Sequence, residues 1–206
     1  MSSQFNLEAS QKGVPSCLLF GKETINIFNR IYPDFLTLKY NSPAKFFTEM
    51  WKRYYEHPAR SSQLDIRIFR TLLSTVLYRQ GILPFYRSAR LHNVPNVEFD
   101  FVAYCKECGP VILSAKTSLR ERYKQADLEG MMVRQVHRKA KSYLITLDNQ
   151  AARLVNEKIH NGQVLGLDDV VVASEPKFDK LIEEIAKLNF YTPEKIEVLT
   201  GKRLIL

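Results

Sequence analysis

The chain has 206 residues, 45% hydrophobic and 11% aromatic, with a formal net charge of +8; this suits a globular fold with a sizeable core and excludes a disordered chain. No apolar run approaches the roughly 18 residues of a membrane span, and the basic excess favours a polyanion partner, most often nucleic acid. Three cysteines (Cys17, Cys105 and Cys108) do not read as a secreted disulfide framework, and Met1–Asn6 lacks a charged-then-apolar leader, so a reduced, cytoplasmic protein with no membrane partner is expected.

The first half reads as mainly helical. Ile25, Ile27, Phe28 and Ile31 predict a helix over Glu23–Tyr32. Phe46, Phe47, Met50, Trp51, Tyr54 and Tyr55 recur at helical spacing between Pro43 and Pro58, predicting a second over Ala44–His57. A third runs over Ser62–Arg79, with Gly81 as its stop. The pattern then changes. Val97–Tyr104 and Val111–Lys116 read as a β-hairpin around the turn Cys105–Pro110. A helix follows over Ser118–Lys139, then a strand over Ser142–Leu147, a helix over Gln150–His160, a strand over Asp169–Ala173, a helix over Lys177–Leu188, and an edge strand within Glu197–Leu206. This order predicts one α/β domain over residues 1–206: a mixed sheet flanked by helices, with residues 1–90 mainly helical and 91–206 forming the core that carries the chemistry.

The hairpin carries the candidate chemistry. Centring the turn on Cys108 sets Asp100 opposite Lys116, at the roughly 4.5–5.5 Å spacing of directly facing side chains. Alternation sends Phe99, Phe101, Ala103, Val111, Leu113 and Ala115 to the other, apolar face. A carboxylate beside an ammonium can form an ordinary cross-strand ion pair. It can also hold Mg²⁺ through oxygen while the lysine stabilises charge on a phosphate. Past the hairpin, Ser118 and Glu121 have the spacing of a capping box. Arg122 and Glu129, seven residues apart, share a helix face and add a second carboxylate and a phosphate ligand.

The run Lys116-Thr117-Ser118, followed by Arg122, Gln125 and Glu129, resembles the EcoRII- and NgoMIV-like branch of the PD-(D/E)XK restriction endonucleases. Most of that superfamily has an acid two residues before the lysine, where this chain has Ser114. In the resembled branch the acid comes instead from the following helix, and Glu129 stands thirteen residues after Lys116. The resemblance implies a restriction-endonuclease-like fold and Mg²⁺-dependent hydrolysis of double-stranded DNA at a specific short sequence. Asp100, Lys116 and Glu129 would be the catalytic set, with Asp65 as a further metal-binding acid at the start of its helix. The dipeptide "PD" is absent, because Pro95 is not adjacent to Asp100, and Glu98 is the alternative strand acid. A repair nuclease or junction resolvase of the same fold is the nearest alternative, and a non-catalytic DNA-binding module the alternative from another class. A homodimer is compatible with any of these.

Two basic stretches suit DNA-backbone contact: Arg87 and Arg90 in Tyr86–His92, and Arg134, Arg138 and Lys141 in Arg134–Lys141. The second also suits a solvated helix end. Cys105-x-x-Cys108 reads as a turn rather than half a zinc site, because a structural zinc takes four ligands. No glycine-rich phosphate loop occurs.

Overall fold

The computed structural model describes residues 22–32, 38–39, 41–58, 60–193 and 198–204; Cys17 and the amino-terminal segment lie outside them. Three helices come first: α1 (Lys22–Ile31), α2 (Pro43–Tyr55) and α3 (Ser62–Arg79). Serine caps start two of them. Ser42 accepts from the Lys45 amide at 3.3 Å and Ser61 from the Leu64 amide at 3.2 Å. Then follow β1 (Phe85–Leu91), β2 (Val94–Cys105), β3 (Gly109–Lys116), α4 (Arg122–Val136), β4 (Lys141–Thr146), α5 (Asn149–His160), β5 (Asp169–Val172), α6 (Pro176–Ala186) and β6 (Val198–Leu204).

The strands form one mixed sheet in the order β5-β4-β3-β2-β1-β6. β1, β2, β3 and β6 pair antiparallel, while β3-β4 and β4-β5 are parallel. Each parallel step needs a crossover, which α4 and α5 supply. Helices α1, α2, α3 and α6 share a hydrophobic cluster with Phe101, Leu113, Ala115, Ile145 and Val171. On the other face, Ala126 of α4 and Ala152 and Val155 of α5 pack with Leu144 and Val170, and Val133 of α4 with Val102 and Ile112. This is the expected α/β architecture, a mixed sheet with helices on both faces. The tail is an edge strand, as expected, paired to β1. Among the described residues, no helix is long and apolar enough to cross a membrane.

Four expectations are corrected. The sheet begins at Phe85, because the stretch Tyr86–His92, read as basic and suited to DNA-backbone contact, lies almost wholly in strand β1 (Phe85–Leu91). Ser88 in its middle has φ 48°, which obscures the alternation that would have revealed a strand. The helix predicted from Ser118 starts at Arg122. No capping box forms: Glu121 has no side-chain bond to the helix amides and pairs at the surface with Lys124. Phe99 leaves the face of Phe101 and joins the second cluster. Its partner is Ala89, beyond which the β1–β2 register shifts, and a two-stranded ribbon twists more than a wide sheet. Finally, Cys105 and Cys108 are joined as a disulfide. The turn brings their Cα atoms to 5.7 Å, within the span a disulfide bridges.

Candidate active site

The site grows from a fork in the sheet. The β2–β3 pairs run from Cys105↔Gly109 to Phe101↔Leu113. Beyond Leu113, β3 continues against β4 as far as Lys116↔Thr146. The Asp100 carboxylate stands at the point of divergence, and its Oδ2 accepts the Ala115 amide at 2.8 Å. That amide points toward β2, so a side chain takes the place of a ladder carbonyl.

The turn is centred on Glu107 rather than Cys108. Continuing the register by one step sets Asp100 beside Ser114, not Lys116. Side chains alternate with a period of two, so this displacement of two residues keeps Lys116 on the side of Asp100. Lys116 Nζ lies 3.4 Å from Asp100 Oδ2, and both side chains are largely buried. Glu98, the alternative acid, is half exposed and pairs with Arg90 at 3.9 Å.

Glu129 arrives from α4. Because the helix starts at Arg122, seven residues precede Glu129, or about 10 Å of axis at 1.5 Å per residue. Leu119, fully buried in the third cluster, pins the preceding loop to the sheet. Close docking sets the helix position. A Cβ on Gly130 would collide with the carbonyl of Gly166, and one on Gly166 with the carbonyl of Asp127. The Asp127 carboxylate accepts the Leu165 amide at 2.9 Å and also that of Gly166. Glycine at these two positions lets α4 lie directly on the loop before β5. Gly130→Ala should therefore destabilise the protein, although alanine favours a helix by about 1 kcal/mol. Forcing backbone apart typically costs about 1–3 kcal/mol, and the neighbouring Glu129 would move with the helix. Thermal unfolding should show a melting point lower by a few degrees, as expected for a chain of this length; an unchanged or raised melting point would contradict this account of the docking.

Glu129 is 7% exposed, and Gln125, one turn earlier, donates to its Oε1 at 2.7 Å. Burial pushes the Glu129 carboxyl above the ordinary range. Lys116, the Gln125 hydrogen bond and Arg70 act against this, while the Asp100 charge adds to it. Glu129 therefore shares an electrostatic neighbourhood with Asp100 and Lys116. The fourth member, Arg70 of α3, is ion-paired with Asp100 Oδ1. α3 and α4 lie on opposite faces of the sheet, yet the Arg70 charge is felt at Glu129. Sequence reasoning missed Arg70. The available signal was its position as the one charge between Ile68 and Leu77, in a stretch too buried for a charge without a partner.

Other expected residues lie elsewhere or are already engaged. Asp65 does not join the group; it accepts from Tyr54 Oη at 2.7 Å and pairs with Arg60 at 3.1 Å. Arg122, at the first turn of α4, is exposed, and Gln125 rather than Arg122 holds Glu129. Arg87 is 1% exposed, which rules out surface contact with a phosphate in this conformation. Arg134 pairs with Asp168 at 2.7 Å and donates to the Leu165 and Ala140 carbonyls. Lys141 also faces Asp168, at 3.6 Å. Arg138 is exposed.

Among the described residues, no three or more His, Cys, Asp or Glu side chains cluster to hold a metal ion. The donors present are the carboxylates of Asp100 and Glu129, two like charges that a divalent cation would bring into attraction. All-oxygen donors, with one or two carboxylates from the protein, fit Mg²⁺.

No protein-family model and no curated protein matches the chain. Among solved structures, a complex of the restriction endonuclease PspGI with substrate DNA is similar at 15% identity, with a TM-score of 0.46 over 74% of this chain and 71% of that one.

Proposed function

We propose that the protein is a Mg²⁺-dependent endonuclease of the PD-(D/E)XK type that hydrolyses phosphodiester bonds of double-stranded DNA at a specific short sequence. One observation carries this reading. Asp100 and Lys116 pair at 3.4 Å where β2 parts from β3, and a second buried acid, Glu129, lies within the electrostatic reach of both. An ordinary cross-strand ion pair needs no second buried acid brought from a helix, and a buried acid whose carboxyl is shifted by burial beside a specific charge partner marks a candidate functional site.

Asp100 and Glu129 would hold the cation. When bound, it supplies Lewis-acid stabilisation of the phosphate and lowers the pKa of water. Lys116 contributes a fixed positive charge where negative charge grows on the phosphate, and its pairing with Asp100 aims the ammonium into the fork. The Ala115 amide keeps Asp100 from rotating away. Gln125 does the same for Glu129. The net charge of +8 favours the approach of DNA.

The test is incubation of the full chain with long duplex DNA, with and without Mg²⁺, followed by sequencing of fragment ends. Ends sharing one short motif support a restriction enzyme. Scattered or branch-specific ends favour the repair nuclease or resolvase, and binding without cleavage the non-catalytic module. The surface cations separate further. Arg138→Ala should lower the salt slope of DNA binding by roughly one, the value for one lost phosphate contact. Arg134→Ala should leave the slope unchanged and lower the melting point, because Arg134 ties Asp168 to two loop carbonyls. Equal slope changes in both variants would restore Arg134 to the DNA interface.

A further inference from the structure

The Asp100 carboxylate is engaged on both oxygens. Oδ2 accepts the Ala115 amide at 2.8 Å and faces Lys116 Nζ at 3.4 Å, while Oδ1 is ion-paired with Arg70. The amide belongs to a strand locked against β4 and cannot withdraw. Lys116 is 12% exposed and Arg70 24%, so Arg70 has the more open path out. Among the described residues, the acids Asp100 and Glu129 stand with the cations Lys116 and Arg70. A divalent cation on the two acids adds two positive charges and competes with Arg70 for Oδ1. A DNA phosphate supplies the opposite charge, and a guanidinium binds phosphate through paired hydrogen bonds.

We infer that Arg70 is an exchangeable counter-ion: it occupies Asp100 in the free protein and transfers to a DNA phosphate when the metal binds. This rests on the nuclease reading and deepens it. The exchange makes metal and DNA bind cooperatively, since each removes the obstacle to the other, and such coupling is reciprocal. The protein without DNA is thereby kept from holding metal tightly. Arg70 is on this account a positioning residue whose role is visible in metal affinity before any bond is cut.

The experiment is calorimetric titration of the full chain with Ca²⁺, with and without a 30-base-pair random-sequence duplex, for wild type, Arg70→Gln, Arg70→Lys and Asp100→Asn. A charge in contact with a carboxylate changes its affinity for a cation by about tenfold or more. Without DNA, Arg70→Gln should therefore bind Ca²⁺ about tenfold more tightly than wild type. DNA should tighten Ca²⁺ binding to wild type by a similar factor and to Arg70→Gln hardly at all. Arg70→Lys, which keeps the charge, should resemble wild type and guards against a folding defect in the glutamine variant. Arg70→Gln binding Ca²⁺ no more tightly than wild type, with Arg70→Lys intact, overturns the inference and leaves Arg70 as a fixed support for Asp100. Absence of any wild-type Ca²⁺ binding that Asp100→Asn removes, with or without DNA, is a different failure. It overturns the metal site itself, and the inference falls with it.

Discussion

Asp100→Asn is expected to lower Mg²⁺-dependent cleavage by roughly 10³-fold or more, about 4 kcal/mol of transition-state stabilisation, while DNA binding persists. The asparagine amide has nearly the same shape but lacks the charge that holds a cation. It also leaves Arg70 and Lys116 facing a neutral group. Phosphate contacts elsewhere supply most of the affinity for DNA, so gel-shift binding should survive. Lys116→Ala removes one fixed charge at the phosphate and is expected to cost roughly 10²–10³-fold, the usual loss for one electrostatic stabiliser. Raising the Mg²⁺ concentration should not rescue it, because Lys116 is not a metal ligand. Near wild-type cleavage by Asp100→Asn would remove the chemistry from this fork. The structure would then be that of an ordinary buried ion pair, with Asp100 serving only to close the strand end through the Ala115 amide.

Glu129→Gln should abolish cleavage and at the same time raise stability. Burial holds the Glu129 carboxyl above its ordinary range, so the fold favours the protonated form. The sign follows from linkage. What this group contributes to stability is fully present below its unfolded-state pKa and is lost as pH rises through the elevated folded-state value. Above its unfolded-state pKa, without metal, the carboxyl therefore costs stability that glutamine does not, and Glu129→Gln should melt higher than wild type, by more at neutral pH than in acid. On the nuclease reading, the same elevation should shape the pH profile of wild type. At low Mg²⁺, cleavage should fall on acidification before an ordinary carboxylate would titrate, and higher Mg²⁺ should move that limb to lower pH. A Glu129→Gln variant that melts lower than wild type, or still cleaves, would contradict the assignment. Ser114 offers a complementary test. It sits beside Asp100 in the continued register and is 1% exposed. In Ser114→Glu combined with Glu129→Gln, the acid returns to the strand, and partial recovery of Mg²⁺-dependent cleavage over Glu129→Gln alone is the expected result. Glu121→Ala, by contrast, should leave both activity and stability near wild type, because Glu121 pairs only with Lys124 at the surface.

The sequence by itself determined every described element except β1 and offered the acids and the lysine proposed to carry chemistry. Helical spacing in Ser62–Arg79 and the hairpin strands around Cys105–Gly109 follow from local rules, in which side-chain period and backbone stop signals act over a few residues. Asp100 and Lys116 do not stand directly opposite each other, but they keep one side of the sheet despite the misplaced turn centre for a local reason too: a displacement of two residues leaves the pleat in phase. What the sequence could not reveal depends on distance along the chain. Strand β1 was hidden by Ser88 and by an arginine, Arg87, buried within it. Asp65, well placed at a helix start, was claimed by Arg60 and Tyr54. Arg134 was drawn from the surface by Asp168, thirty-four residues later. Above all, only tertiary structure decided that Arg70 pairs with Asp100 and that Glu129 comes within its electrostatic reach. α4 owes its position to backbone contact between Gly130 and Gly166. α3 owes its position to the core on the opposite face of the sheet. No local pattern encodes the approach of two helices to one strand acid, because the energy that fixes it comes from packing between elements and not from any one of them.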